Sequence, residues 1–140
     1  MKNLLMKGFG RLSVLVVLLL TAVVAPAALV VQIAPPKTTG SKVIVKLDLQ
    51  NTYTNKIQSV RAAVFLLNDQ GKVVGQSTSW IIGGGKDKPA LDSNAKTTYN
   101  FLVPIDKPFT KAKLMVERIL LENGSLGNAL KDVQISDASK

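Results

Sequence analysis

Few side chains in this sequence can do covalent or metal chemistry, and their spacing narrows the choice further. The 140 residues contain no His and no Cys, which removes the usual general base, the usual metal ligand, thiolate zinc and iron–sulfur sites, and disulfides. Gly83, Gly84, Gly85 and Lys86 resemble part of a phosphate-cradling loop, in which backbone amides of a glycine-rich turn hold an anion. That loop needs a glycine five residues before its Gly-Lys pair and a hydroxyl residue after it. Trp80 and Asp87 occupy those places, so the run reads as a connection between strands. Asp87, Asp92 and Asn94 carry oxygen ligands suited to calcium, but neither their number nor their spacing matches a calcium loop.

For nucleophilic catalysis the remaining pairing is a serine with a lysine, such as Ser79 with Lys86, and nothing in the sequence singles one out. A glycoside hydrolase needs two carboxylates, and Glu117 and Glu122 are the only glutamates. Both read as groups on a solvated strand and its turn. No catalytic residue, metal ligand or cofactor-binding residue is therefore assigned, no cofactor is expected, and the chain is expected not to be an enzyme. Asn123, Gly124 and Ser125 form a glycosylation sequon, relevant only in a eukaryotic host and otherwise a turn.

The chain carries 18 Lys and Arg against 9 Asp and Glu, net +9. The basic residues are dispersed and mostly lysine, whereas base readout favours clustered arginine. Nucleic acid is not an expected partner. A protein or an anionic envelope component is, and the same lysines also discourage edge-to-edge pairing of strands.

Length allows one ordinary domain, and the N-terminus sets where that domain works. Lys2, Lys7 and Arg11 precede a run bounded by Leu12 and Ala34 that contains no charge. A positive flank is retained on the cytoplasmic side, and the chain beyond an apolar run is sent across the membrane. Residues 1–34 are read as a signal peptide or a membrane anchor. Ala25 and Ala27 supply the small residues that suit cleavage after Ala27 or Ala28. The 23 residues of the run are also long enough to cross about 30 Å of hydrocarbon. A twin-arginine signal fails because Arg11 stands alone, and a lipoprotein signal fails without Cys. A prepilin site at Gly8 and Phe9 lacks its downstream Glu, having Ser13 instead. The expected location is exported, either periplasmic, extracellular or anchored and facing outward.

Residues 35–41, with Pro35, Pro36 and Gly40, read as a linker, and the domain is placed at 42–140. Val43, Val45, Leu47 and Leu49 alternate with Ile44, Lys46, Asp48 and Gln50, the period of a strand with one wet face. Val60 to Leu67 suits a strand buried on both sides. Asn68, Asp69, Gln70 and Gly71 form a hairpin turn into a strand running to Ile82 near a sheet edge. Thr97, Tyr99, Phe101 and Val103 mark a further strand. In the run from Ala112 to Leu121, which also suits a helix, the expected inward face as a strand is Ala112, Leu114, Val116 and Leu120, with Arg118 an intruder. A short last strand is expected at Val133 to Ile135. Five or six strands without a long amphipathic helix indicate an all-β sandwich. Trp80, Phe65, Phe101 and Tyr99 are the bulky core candidates.

Asn51, Phe65, Leu67, Asp69, Gly71, Lys72, Val73, Val74, Gly75 and Phe101 together resemble the FxLYD family of immunoglobulin-like domains in exported bacterial and archaeal proteins. Asn68 stands where that motif has Tyr. The resemblance implies an immunoglobulin-like β-sandwich outside the cytoplasm and supplies no catalytic residues. The functional expectation is a non-catalytic binding or structural module of the cell envelope. Two alternatives stand beside it. One is a membrane-tethered accessory subunit, associated with the membrane through the Leu12 to Ala34 run. The other is a small extracytoplasmic hydrolase.

Overall fold

The computed structural model describes residues 28–137. It is all-β, with two sheets packed as a sandwich. Eight strands follow one another: β1 (Leu29–Ile33), β2 (Lys37–Thr39), β3 (Lys42–Asn51), β4 (Ile57–Leu67), β5 (Val73–Ile82), β6 (Lys96–Pro104), β7 (Lys111–Leu121) and β8 (Val133–Asp137). The larger sheet is built on β3. Strand β6 pairs along one whole edge of it, from Lys42 to Gln50, so β1 and β2 share the other edge in succession. Strand β8 pairs with β1 in parallel and closes that side. The smaller sheet has the order β5-β4-β7.

The domain therefore starts at Leu29 and not at Lys42. The expected signal or anchor ran to residue 34 and the expected linker covered 35–41. Instead Leu29, Val31 and Ile33 point into the core while Gln32 is exposed, and residues 37–39 form β2. Two prolines confined the sequence reading to a linker, yet Pro35 and Pro36 only break the ladder between two pieces of one edge. One extra residue there bulges the edge, as the pairing changes from Ile33 opposite Leu47 to Lys37 opposite Ile44. The rest of the expected N-terminal apolar helix, in residues 1–27, lies outside the described residues.

Alternation in β3 holds along its length, with Val43, Val45, Leu47 and Leu49 buried. In β4, the middle strand of its sheet, Val60, Ala62, Val64 and Leu66 join the core. Ala63, on the outward face, is also buried. The hairpin after β4 is tied by Asn68, whose Oδ1 accepts hydrogen bonds from the backbone N–H groups of Gln70 and Lys72, each at 2.9 Å. At this position the smaller amide caps the turn, which an aromatic ring could not do. Gly71 closes it with a φ of 78°.

Strand β7 corrects the expected face. Arg61 pairs with Arg118 and Ala62 with Val116, so Glu117 is an extra residue in the strand. This bulge shifts the alternation by one: Leu114 and Val116 are buried, and after it Ile119 and Leu121 are, not Leu120. Arg118 is thereby no intruder, since it points outward. Among the four bulky core candidates only Phe101 is fully buried. Trp80, Phe65 and Tyr99 are half-buried. Trp80 lies on the outer face beneath the Arg61 guanidinium, 5.5 Å from the ring centroid, and Arg61 Nε meets Glu117 Oε2 at 3.4 Å.

Candidate functional site

Three connections gather at the end of the sandwich where the chain enters: residues 52–56, 83–95 and 122–132. Asn51, the last residue of β3, organises the first two. Its side chain is fully buried. Its Nδ2 donates to the carbonyl oxygens of Asn55 (3.0 Å), Leu91 (3.0 Å) and Asp92 (3.1 Å). Its Oδ1 accepts from the Tyr53 backbone N–H at 2.8 Å. A primary amide is the neutral group that can offer two donors and an acceptor at one point. Sequence reading names Asn51 only as part of the FxLYD resemblance, because two of the three carbonyls it serves arrive 40 and 41 residues later.

Tyr53 and Asp132 hold the third connection. The Tyr53 hydroxyl donates to Asp132 Oδ2 at 2.8 Å, and the same oxygen accepts from the Asn128 backbone N–H at 2.8 Å. The carbonyl of Asp132 receives the N–H groups of both Ala28 and Leu29 at 2.8 Å, which fixes the point where the N-terminal segment leaves the fold. Burial first, then the hydrogen bond and negative charge of Asp132, push the Tyr53 phenol well above its ordinary value. In the unfolded chain a tyrosine ionises near pH 10. Its contribution to stability is thus complete below about pH 10 and declines as pH rises toward the higher folded value. Urea unfolding at pH 8 and near pH 11 is expected to show the stability advantage of the native protein over Tyr53→Phe shrinking at the higher pH. An advantage that stays constant contradicts this linkage.

The loop 122–132 presents its apolar side chains outward. Leu126 is 63% exposed and Leu130 is 92% exposed. This is order and not slack, because Asn128 Oδ1 accepts the backbone N–H groups of Leu130 (3.0 Å) and Lys131 (2.9 Å). The sequon sits in a turn of the same loop, where Asn123 Oδ1 accepts from the N–H and hydroxyl of Ser125 at 3.0 and 2.6 Å.

The residues singled out for chemistry are arranged differently from their order in sequence. Ser79 does not meet Lys86. Its Oγ is 2.8 Å from the Tyr99 hydroxyl, and Lys88 Nζ donates to it at 3.4 Å. Lys88 also donates to the Trp80 carbonyl at 2.8 Å and stands 4.9 Å from the Tyr99 ring centroid. A carbonyl oxygen and an aromatic face both attract an ammonium group. The cluster works as a clamp that fastens the 83–95 connection across β5 and β6.

The glycine run has a packing cause. Gly83 and Gly84 take φ values of 60° and 81°, and a Cβ at Gly83 would collide with the Gln58 carbonyl, one at Gly84 with the Trp80 ring. The Gly83 amide is already spent on Pro89 O at 3.2 Å. Asp92 pairs with Lys56 Nζ at 3.5 Å, and among the described residues no three His, Cys, Asp or Glu side chains gather as a metal site. Glu117 faces Arg61, while Glu122 Oε1 accepts from the Lys56 backbone N–H at 3.2 Å.

Away from this end, a shallow groove of about 430 Å³ crosses the outer face of the larger sheet. Gln32, Asp48, Gln50, Lys96 and Thr98 line it. It offers hydrogen-bonding groups and one charge of each sign.

The fold is similar to that of IrmA from Escherichia coli, with a TM-score of 0.55 and 12% identity, covering 80% of this chain and 93% of that one. It is also similar to a Bordetella pertussis protein assigned as ApaA, with a TM-score of 0.52 and 16% identity, covering 75% and 89%. At these identities the likeness is one of fold. No family model matches the chain, and no curated protein matches it in sequence.

Proposed function

We propose that this protein is an exported, non-catalytic module of the cell envelope, an immunoglobulin-like β-sandwich of the FxLYD type that binds or scaffolds a protein or anionic envelope component. One observation carries the reading. The first strand begins at Leu29, immediately after the small residues Ala25 and Ala27 that follow the positive flank and apolar run. A signal removed after Ala27 or Ala28 leaves all eight strands in the mature chain. The groove on the outer face of the larger sheet is the binding surface this reading favours, since neutral and charged hydrogen-bonding groups line it. Fractionation of the native host followed by N-terminal sequencing tests the proposal. Recovery outside the cytoplasm with Ala28 or Leu29 as first residue supports it, and recovery from the cytosol with Met1 overturns it.

A second reading, a membrane-tethered subunit of an envelope complex, is favoured by a different observation. Leu126 and Leu130 are exposed beside the point where the N-terminal segment joins the fold. Among the described residues no helix is long and apolar enough to cross a membrane, so a tether belongs to the residues before Ala28. Met1 at the N-terminus of protein recovered from the membrane fraction selects this reading over the first.

A further inference from the structure

We propose that the 122–132 loop is a bilayer-contacting face, in which Leu126 and Leu130 enter the lipid interface beside the N-terminal segment. This inference rests on the tethered reading above. Three observations bring it about. Leu130 is the most exposed large apolar side chain among the described residues, and Leu126 is next. Both sit in a loop whose shape is fixed by Asn128 and Asp132 and not left to collapse onto the core. The loop is also fastened to the chain's entry point, because the Asp132 carbonyl takes the N–H groups of Ala28 and Leu29.

The length of the segment outside the fold then sets how close a membrane lies. With Ala28 bonded to Asp132 and Thr52 and Leu29 committed to β1, the uncharged run available to lipid is residues 12–27. A run of that length reaches about 24 Å at the helical rise of about 1.5 Å per residue, less than a hydrocarbon core of about 30 Å. No spacer remains between that run and the sandwich, so a tethered domain is drawn against the head groups. The end that meets them is the one bearing the exposed leucines. Water exposure of each leucine is unfavourable, and the interface removes that exposure. Lys131, adjacent to Leu130 and exposed, is long enough to keep its ammonium among the head groups. The opposite end, with the Asn68 turn, faces away because β3 and β4 run the length of the sandwich between them.

The absence of cysteine makes the test direct. The full chain carrying Leu130→Cys, and separately Gln70→Cys in the far turn, is labelled with a polarity-sensitive fluorophore. Each is then reconstituted into vesicles of phosphatidylcholine and phosphatidylglycerol containing a nitroxide-labelled lipid. The expected result is a shift of emission to shorter wavelength and loss of intensity for the label at position 130, with neither change at position 70. Flotation of the same samples distinguishes the loop contact from the tether. A chain that floats with the vesicles while its label at 130 stays as water-exposed as that at 70 overturns the bilayer contact, leaves the tether standing and points to a protein surface as the partner of the loop. A chain that does not float overturns both.

Discussion

Aspartate in place of Val31 is expected to unfold the domain, whereas aspartate in place of its neighbour Gln32 leaves it folded. Val31 is completely buried, between Leu49 on β3 and Ile135 on β8, and an ionised carboxylate there has no partner. Burying an unpaired charge costs several kcal/mol even after the structure relaxes. The small domain has a total stability of about 5–15 kcal/mol. The lost packing adds to the charge penalty, because Leu29, Val31 and Ile33 together form one wall of the core. Strand β8 would fall with β1, its sheet partner. Gln32 is on the opposite face and exposed, so its substitution, which sets a second carboxylate opposite Asp48, is expected to cost no more than about 1 kcal/mol. Circular dichroism and urea unfolding of the two variants give the comparison. If both behave alike, the 29–33 segment is not a core strand and the domain boundary proposed for it is wrong.

The second large effect belongs to Asn51. Replacement by leucine keeps the volume but removes the hub of the entry end. The Asn55 carbonyl loses its donor and the Tyr53 N–H its acceptor, while the Leu91 and Asp92 carbonyls keep only the backbone N–H groups of Ile57 and Ala95. Each buried group left unpaired costs about 1–3 kcal/mol. With two groups orphaned and two others losing one of two bonds, a net loss of about 2–4 kcal/mol is expected in urea unfolding. Asn51→Asp is expected to be similarly damaging at neutral pH, since a carboxylate oxygen then faces three carbonyl oxygens. It should recover in part under acid conditions, where a protonated carboxyl can donate once. A loss below about 1 kcal/mol for Asn51→Leu would show that the loops are held by their backbone bonds alone.

Neither experiment concerns a catalytic group, and that reflects where this molecule concentrates its polar side chains. Asn51, Asn68, Tyr53 with Asp132, and Ser79 with Tyr99 and Lys88 each fix a turn or a connection. The surfaces on which the proposed roles rest are the groove of the larger sheet and the exposed leucines of the 122–132 loop. These differ in chemistry, so mutations in one are expected to leave the other's partner unaffected.

Local sequence by itself determined the all-β class, the wet and dry faces of β3, the turn at Asn68 to Gly71 and the strand of Phe101. Successive side chains point to opposite sides of an extended chain, and that alternation is written in neighbouring residues. Tertiary structure alone decided the rest. Leu29 to Ile33 looks like more of the apolar run before it, and only its pairing with Asn51 to Leu47 and with β8, near the far end of the chain, makes it a strand. The phase shift in β7 comes from Glu117 having no partner on β4. Lys88 reaches Ser79 in place of Lys86 because the glycine turns aim it there. Pairing partners, bulges and the ends of loops depend on contacts between residues far apart in the chain, which no window of local sequence contains.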